Sequence, residues 1–469
     1  MRAIEEEGDF VIVGSGAAGA TVARWLSAAG REVVIVEEGA PPRAASGAID
    51  ALGSLYRDAG TTAAIGQDVL PLLQGRCLGG TTVINGGIQV PFPQGVWQEW
   101  VDRDRRWAER LPWDALERAR ERMDLELGVA ATPSELWGPS GGAMKRALGA
   151  GAEPTRRNTP GCHGSGRCLE GCPHGKKQSA DVALIPRAQA RGARVHTDCR
   201  IDRAVIRGGS AIGVRGRTRD GAPFFARARR AVILAAGAIQ TAGLLLASGV
   251  RGSGRNFTCH PGSAMAGLFA SQVIGPQEGT QSMQSLADLR HGFKLESLGM
   301  PRAFRAARVP GVGRTLAARL ERLDHVALWG AAARAEARGR IVRSPFGPLV
   351  FYSLTRSDRR RLLAGLARLA EAMLDAGALE VWPAVHGAPE RITRREDARA
   401  IAAIEPAAGA IPMVATHFFG GAVVDDLFQA GGVSGLVVAD SALFPTNLGV
   451  NPMSSITAVA TLVAERWAA

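Results

Sequence analysis

The chain has 469 residues, 46% of them hydrophobic, and a formal net charge of +12 at pH 7. No uninterrupted apolar run approaches the roughly 18–20 residues of a membrane-spanning helix, so no membrane span is expected. The acidic start, MRAIEEEGDF, lacks the basic and apolar regions of a secretory signal peptide, and a cytoplasmic protein is therefore expected.

Arginine dominates the basic residues. Of the 56 Lys and Arg residues, the lysines are Lys145, Lys176, Lys177 and Lys294. Most arginines alternate with Asp or Glu, as in RDRRWAERL, which is typical of solvated helix faces. Arginine can also neutralise nucleic-acid phosphates, but no recognition motif accompanies the charge. We therefore expect no nucleic-acid partner.

The first predicted elements form a strand–turn–helix–strand unit between Asp9 and Gly39. Gly14, Gly16 and Gly19 follow a β-branched run and open a helical pattern, with the spacing of a dinucleotide-binding turn. Backbone N–H groups and the dipole at such a helix start favour a pyrophosphate. Glu37 ends the second strand, where it can accept hydrogen bonds from a ribose and would repel the 2′-phosphate of NADP. The unit does not choose between FAD and NAD.

A second glycine-rich stretch, GRCLGGTTVING, runs from Gly75 to Gly86. It contains too many glycines for a regular helix or a central strand. A loop of this composition allows the backbone to approach a flat ligand, and the alternative is a long surface loop without a ligand.

Three of the six cysteines cluster in the stretch GCHGSGRCLEGCPHG. Cys162, Cys168 and Cys172 have the spacing C-x5-C-x3-C-P, whose last part is typical of ferredoxin motifs. Clustered thiolates can bind an iron–sulfur cluster or zinc, although three cysteines are incomplete for most metal sites. A turn-rich loop with reduced thiols is the alternative.

Further strands are predicted at Ala204–Ile206, Ala231–Ala235 and Gly435–Asp440. Between about Pro261 and Pro412, arginine-rich helical segments alternate with short apolar runs. This change in character predicts a second domain inserted into the first.

Near the C-terminus, a Pro/Gly loop leads through Asn451 and Pro452 into a small-residue helical pattern. Pro452 suits the first helical turn, and the helix is predicted to begin at Met453. Asn451 either caps this helix or directs its amide toward a substrate oxygen. His417, between IPMVAT and FFGG, is either a buried core histidine or a proton acceptor.

Four ordered blocks resemble the glucose–methanol–choline (GMC) flavoprotein oxidoreductases. They are Asp9–Gly39, Gly75–Gly86, Gly254–His260 and His417–Arg466. The last block is most similar to the cholesterol oxidase and long-chain alcohol oxidase branches, whereas the central region is only loosely similar.

The resemblance implies an α/β fold in which a Rossmann-like FAD-binding domain carries an inserted α+β substrate domain, the two-domain architecture shared with p-hydroxybenzoate hydroxylase. The implied FAD-binding domain is discontinuous and comprises residues 1–90, 160–260 and 411–469. The implied substrate-binding domain comprises residues 91–159 and 261–410.

The resemblance also implies which residues bind the cofactor. Glu37 would hold the adenosine ribose, the Val205 backbone would lie near the adenine, and the Gly79–Asn85 loop would follow the pyrophosphate and isoalloxazine. No histidine precedes His163, so covalent attachment near the first signature is excluded and FAD is expected to be non-covalent. The full set of candidate cofactor residues is Gly14, Gly16, Gly19, Glu37, Gly79, Gly80, Thr81, Asn85, Val205, Asp440, Asn451, Pro452 and Met453.

The implied reaction is oxidation of a small-molecule alcohol. His417 would accept the hydroxyl proton, Asn451 would contact the same oxygen, and hydride would pass to flavin N5. The positive end of the helix at Met453 would stabilise the anionic reduced flavin. Phe418 and Phe419 beside the base weakly favour a hydrophobic or polycyclic substrate. A GMC-fold lyase or decarboxylase is the alternative.

The sequence is compatible with either O₂ or an external molecule as the electron acceptor. The spacing of Cys162, Cys168 and Cys172 is similar to that of GMC dehydrogenases that carry a 3Fe-4S cluster. The stretch Gly171–Lys176 is also similar to a loop of related alcohol oxidases without an established metal.

Overall fold

The computed structural model describes residues 3–275, 277 and 279–469. Its strands in chain order are β1 Ile4–Val13, β2 Val33–Val36, β3 Ala63–Ala64, β4 Leu70–Pro71, β5 Ala130–Ala131, β6 Glu153–Pro154, β7 Arg156–Arg157, β8 Arg194–His196, β9 Cys199–Arg207, β10 Ser210–Thr218, β11 Pro223–Leu234, β12 Arg255–Phe269, β13 Met283–Ser285, β14 Phe293–Leu298, β15 Val326–Ala333, β16 Gly339–Ser344, β17 Gly347–Phe351, β18 Ala378–Trp382, β19 Val414–Phe419 and β20 Leu436–Val438.

Helices cover both large sheets. In chain order they are α1 Ala17–Ala28, α2 Ala48–Leu55, α3 Gln94–Arg103, α4 Arg106–Arg110, α5 Trp113–Glu126, α6 Gly138–Leu148, α7 Ala180–Ala183, α8 Ile185–Gln189, α9 Ala238–Ala247, α10 Arg302–Ala306, α11 Gly313–Glu321, α12 Arg356–Asp375, α13 Arg395–Ala398, α14 Ala400–Ala403 and α15 Met453–Ala468. Within the described ranges, no helix combines the length and apolar character needed to cross a bilayer.

The first sheet has seven strands in the order β8-β2-β1-β11-β10-β9, with β20 also paired to β11. Its β8, β2, β1, β11 and β20 strands run parallel, whereas β10 is antiparallel to both of its neighbours. All four residues of β2 are apolar and buried, as expected for a parallel strand covered on both faces. Helix α1 packs against α15 and α8.

The second sheet has nine strands, with the path β17-β16-β12-β15-β14-β13-β6 and with β18 and β19 paired to β12. Its pairings are antiparallel. The 20-residue helix α12 packs on β12, β14 and β15. A capping box starts this helix: Thr355 Oγ1 accepts from Asp358 N at 3.0 Å, and the Asp358 carboxylate accepts from Thr355 N at 3.1 Å.

The observed fold is therefore α/β with the two-domain architecture expected from the sequence. The predicted strands at Ala204–Ile206, Ala231–Ala235 and Gly435–Asp440 correspond to β9, the end of β11 and β20. The C-terminal helix begins at Met453, as predicted. Strand β12 starts before Pro261, and β19 follows Pro412; both belong to the nine-stranded sheet.

Candidate active site

A cavity of about 1620 Å³ is lined by residues from both large sheets. Both predicted catalytic residues, His417 and Asn451, line it. So do ten of the predicted cofactor residues: Gly14, Gly16, Glu37, Gly80, Thr81, Asn85, Asp440, Asn451, Pro452 and Met453.

The remaining three predicted cofactor residues lie outside this lining. Gly19 is within α1. Gly79 N donates to Ser15 Oγ at 2.9 Å and so joins the two glycine-rich loops. Val205 lies in β9, whose earlier residues Cys199–Arg203 do line the cavity.

The first glycine turn packs closely at Gly14 and Gly19 and leaves free space at Gly16. Gly14 has φ +99°, and a Cβ there would lie 2.5 Å from the Ala235 carbonyl oxygen. A Cβ on Gly19 would lie 1.9 Å from the Gly14 oxygen, so helix and strand pack too closely for a side chain. A Cβ on Gly16 would meet nothing within 4 Å, although Gly16 is next to the start of α1. Backbone at this helix start therefore has room for an anionic group.

Glu37 lines the cavity and also ties the turn to β2. Its Oε2 accepts from Ser15 N at 3.0 Å and from Ser15 Oγ at 2.7 Å, and its Oε1 accepts from Gly39 N at 2.8 Å. Burial raises the pKa of Glu37, and these hydrogen bonds act in the opposite direction.

The Gly75–Gly86 loop meets the start of the C-terminal helix at the cavity. Asn85 Nδ2 donates to Met453 Sδ at 3.2 Å, and Asn85 Oδ1 accepts from Gly87 N at 2.9 Å. Pro452 immediately precedes the helix, whose first turn has no side-chain cap. Asn451 therefore does not cap the helix, and its carboxamide is available for another contact.

Asp440 lies just after β20 and accepts three hydrogen bonds. Its carboxylate accepts from Gly237 N at 2.8 Å, Thr241 Oγ1 at 2.5 Å and Ala442 N at 2.8 Å. Burial raises its pKa to about 6. These contacts hold the start of α9 against β20.

Two histidines face each other across β12 and β19. The Nδ1 atoms of His260 and His417 are 3.1 Å apart, and the rings stack with centroids 5.3 Å apart. Burial, with a smaller effect from the charge of Lys294, lowers the pKa of His417 to about 3. Burial, followed by the charge of His417, lowers the pKa of His260 well below its ordinary value. Both rings are therefore neutral at pH 7.

A buried polar wall contacts Asn451. Lys294 Nζ donates to Asn451 Oδ1 and pairs with Glu296 Oε1. Glu296 Oε2 accepts from Gln281 Nε2. Lys294 is 1% exposed, and burial lowers its pKa to about 7.

Sequence reasoning missed Lys294 and Glu296. Their signal is the alternation in FKLESL, which places both side chains on one face of β14 because successive strand residues point to opposite faces. The scarcity of lysine in the chain was a second signal.

Comparison with known proteins identifies the family. Models described as GMC oxidoreductase match residues 52–262 and 336–460. The chain belongs to the GMC oxidoreductase family. An uncharacterised GMC-type oxidoreductase of Mycobacterium tuberculosis is 34% identical, over 98% of this chain and 76% of that protein. The long-chain-alcohol oxidase FAO4A of Arabidopsis thaliana is 25% identical, over 96% of this chain and 67% of that protein.

Solved structures of low sequence identity share the fold. Formate oxidase of Aspergillus oryzae aligns with a TM-score of 0.73 at 17% identity, covering 99% of this chain and 98% of that chain. Pyridoxine 4-oxidase of Mesorbium loti aligns with a TM-score of 0.71 at 16% identity, covering 97% of this chain and 98% of that chain.

The cavity of this GMC oxidoreductase fits FAD, the cofactor that the family supports. The open space at Gly16 suits a pyrophosphate beside the start of α1. Asn85, His417 and Asn451 line the same cavity as Gly16, so one ligand can contact the glycine turn and the two predicted catalytic residues.

The cysteine motif has a different arrangement from the one hypothesised. Cys168 Sγ accepts from Arg157 Nη2 at 3.0 Å, Cys162 Sγ from Gly164 N at 3.4 Å, and Cys172 Sγ from Lys177 N at 3.3 Å. Among residues 3–275, 277 and 279–469, no group of three His, Cys, Asp or Glu side chains is placed to hold a metal. The iron–sulfur hypothesis therefore has no support.

Proposed function

We propose that the protein oxidises the CH–OH group of an alcohol, using FAD bound non-covalently. The observation that carries this proposal is that a neutral, half-buried His417 and the Asn451 carboxamide line the same cavity. Bound FAD would supply the hydride acceptor. The sequence-based division into domains and the set of cofactor residues remain part of the proposal.

His417 is the proton acceptor in this proposal. A base must present an unprotonated nitrogen, and a neutral imidazole has one. Because the two Nδ1 atoms share one hydrogen bond, one ring donates and the other accepts. We assign the donor role to His417, which leaves its Nε2 free to take the hydroxyl proton. His260 then accepts at Nδ1 and fixes this tautomer.

Asn451 orients the same hydroxyl oxygen, and its NH₂ group donates to the negative charge that develops there. Pro452 and Met453 line the cavity at the start of α15. The positive end of this helix favours negative charge on a group bound beside it.

The substrate is proposed to be hydrophobic. Leu298, Met300, Phe304 and Phe418 line the cavity, and the strands beneath contribute small residues. These apolar residues, beside the polar wall that contacts Asn451, suit a ligand whose hydroxyl is its main polar group. Relatives named long-chain-alcohol oxidases support the same substrate class.

Anaerobic flavin bleaching tests the proposal. Purified holoprotein is mixed with alkanols of increasing length and with polycyclic alcohols, and flavin absorbance is followed. Bleaching by hydrophobic alcohols, with the carbonyl product formed, supports alcohol oxidation. Substrate loss without bleaching would instead indicate the lyase or decarboxylase alternative. Peroxide formation in air then separates O₂ from an external acceptor.

A further inference from the structure

Lys294 occupies a buried position, where a charged lysine side chain is destabilising. It is 1% exposed in β14, and its strand neighbours are Ala332 in β15 and, one strand further, Gly262 in β12. A buried ammonium is destabilising unless its hydrogens are satisfied by nearby acceptors. Its position therefore needs an explanation in its contacts.

The contacts of Lys294 fix the orientation of a neighbouring group. An ammonium only donates hydrogen bonds, so its partner on Asn451 must be the carbonyl oxygen. The Asn451 NH₂ group must then point away from Lys294. A carboxamide without such a partner can turn over and exchange the positions of its oxygen and nitrogen.

Glu296 and Gln281 hold Lys294 in turn. Glu296 Oε1 pairs with Lys294 Nζ, and Glu296 Oε2 accepts from Gln281 Nε2. The result is a continuous series from Gln281 to Asn451 along one side of the cavity. Gln281, Glu296 and Asn451 line the cavity, and Lys294 lies behind them.

We propose that Lys294 is a positioning residue that holds the Asn451 carboxamide with its NH₂ group toward the substrate oxygen. This inference rests on the proposed alcohol oxidation. Loss of Lys294 allows the amide to turn, and its oxygen would then repel the oxygen that becomes negative during proton removal.

A double-mutant cycle tests the inference. Lys294→Met keeps a long side chain but cannot donate, and Asn451→Ala removes the carboxamide. We expect the rate of flavin reduction to fall about 10²-fold in Lys294→Met and about 10²–10³-fold in Asn451→Ala. The double variant should be no slower than Asn451→Ala. Multiplicative losses would overturn the inference.

A second double variant distinguishes positioning of Asn451 by Lys294 from neutralisation of the Glu296 charge by Lys294. Lys294→Met combined with Glu296→Gln leaves no unpaired buried charge. If Lys294 only balances Glu296, this variant recovers the wild-type rate and the inference is wrong. If Lys294 orients Asn451, the rate stays low. Lys294→Gln, which keeps a donor without a charge, should retain more activity than Lys294→Met and serves if the latter folds poorly.

Thermal unfolding of flavin-free protein gives a readout independent of catalysis. Asn451→Asp places a carboxylate against Lys294, so it should keep the wild-type melting temperature. In the Lys294→Met background the same change should lower it. Equal shifts in both backgrounds would overturn the contact. This coupling holds even if no alcohol bleaches the flavin, so failure of the inference and failure of the proposed function are distinguishable.

Discussion

The two ends of the cavity differ in how the chain builds them. At the end proposed to bind the nucleotide, the turn from Gly14 to Gly19 and the carboxylate of Glu37 come from a short βαβ stretch and act largely through backbone. At the opposite end, His260 meets His417, and Lys294 meets Asn451; each contact joins residues 157 positions apart. The first end depends on shape, and the second depends on side-chain chemistry. Substitutions should therefore separate cofactor binding from catalysis.

Gly14→Ala should have the largest effect, an almost complete loss of bound flavin. The backbone at Gly14 has φ +99°, and the added Cβ would lie 2.5 Å from the Ala235 oxygen, so the turn cannot keep its shape. Flavin absorbance per mole of purified protein measures the loss. Gly53→Ala is the matched control, since a Cβ there meets nothing within 4 Å and Gly53 lies inside α2. Equal flavin content in the two variants would contradict the role of the turn.

His417→Gln should spare flavin binding and slow flavin reduction by about 10²–10⁴-fold, the usual contribution of a general base. Glutamine can still bond to His260 but does not accept the hydroxyl proton. Stopped-flow reduction with a hydrophobic alcohol measures the rate. The exposed His386 provides a control, because His386→Gln should reduce flavin as fast as wild type. A His417→Gln variant of undiminished rate would remove His417 from the mechanism.

The contrast between the two ends also explains what the sequence could predict. The glycine turn and the helix start at Met453 are local patterns, since a few neighbouring residues determine the backbone there. The polar wall is not local. The alternation in FKLESL predicts that Lys294 and Glu296 share a face, but the sequence does not show that this face lies against Asn451. The pairing of β12 with β14 through β15, and of β12 with β19, decides that neighbourhood.

The pH dependence of kcat/KM should reflect the lowered pKa of His417. Burial first, and then Lys294, lower the pKa of His417 to about 3; the other groups around it are His260 and, beyond Lys294, Glu296. An imidazole with an ordinary pKa of about 6.5 would be only about 3% neutral at pH 5. Lys294, whose pKa is about 7, is already protonated at pH 6. We therefore expect kcat/KM to change little between pH 6 and pH 5, where an ordinary histidine would lose about eightfold. A loss of about eightfold over this range would contradict the lowered pKa of His417.

The same lowered pKa has a consequence for stability. Between pH 6.5 and about 3, the unfolded chain binds a proton at His417 that the folded protein does not bind. The free energy of unfolding should therefore fall as the pH drops through this range. His417→Gln removes this contribution, so its unfolding free energy should depend less steeply on pH than that of wild type.

Glu37→Gln should give the smallest effect, about a tenfold weaker affinity for FAD, or about 1.4 kcal/mol. Glu37 accepts three hydrogen bonds from Ser15 and Gly39, and a glutamine NH₂ group would face one of these donors. The glycine turn should become less rigid. The rate of flavin reduction in FAD-saturated protein should not change, because His417 and Asn451 are unaffected. Titration of flavin-free protein with FAD measures the affinity. Glu6→Gln is the control, since Glu6 pairs with Arg194, is half-buried and does not line the cavity. If Glu6→Gln lowers the affinity for FAD as much as Glu37→Gln does, the hydrogen bonds from the turn to Glu37 do not account for the effect.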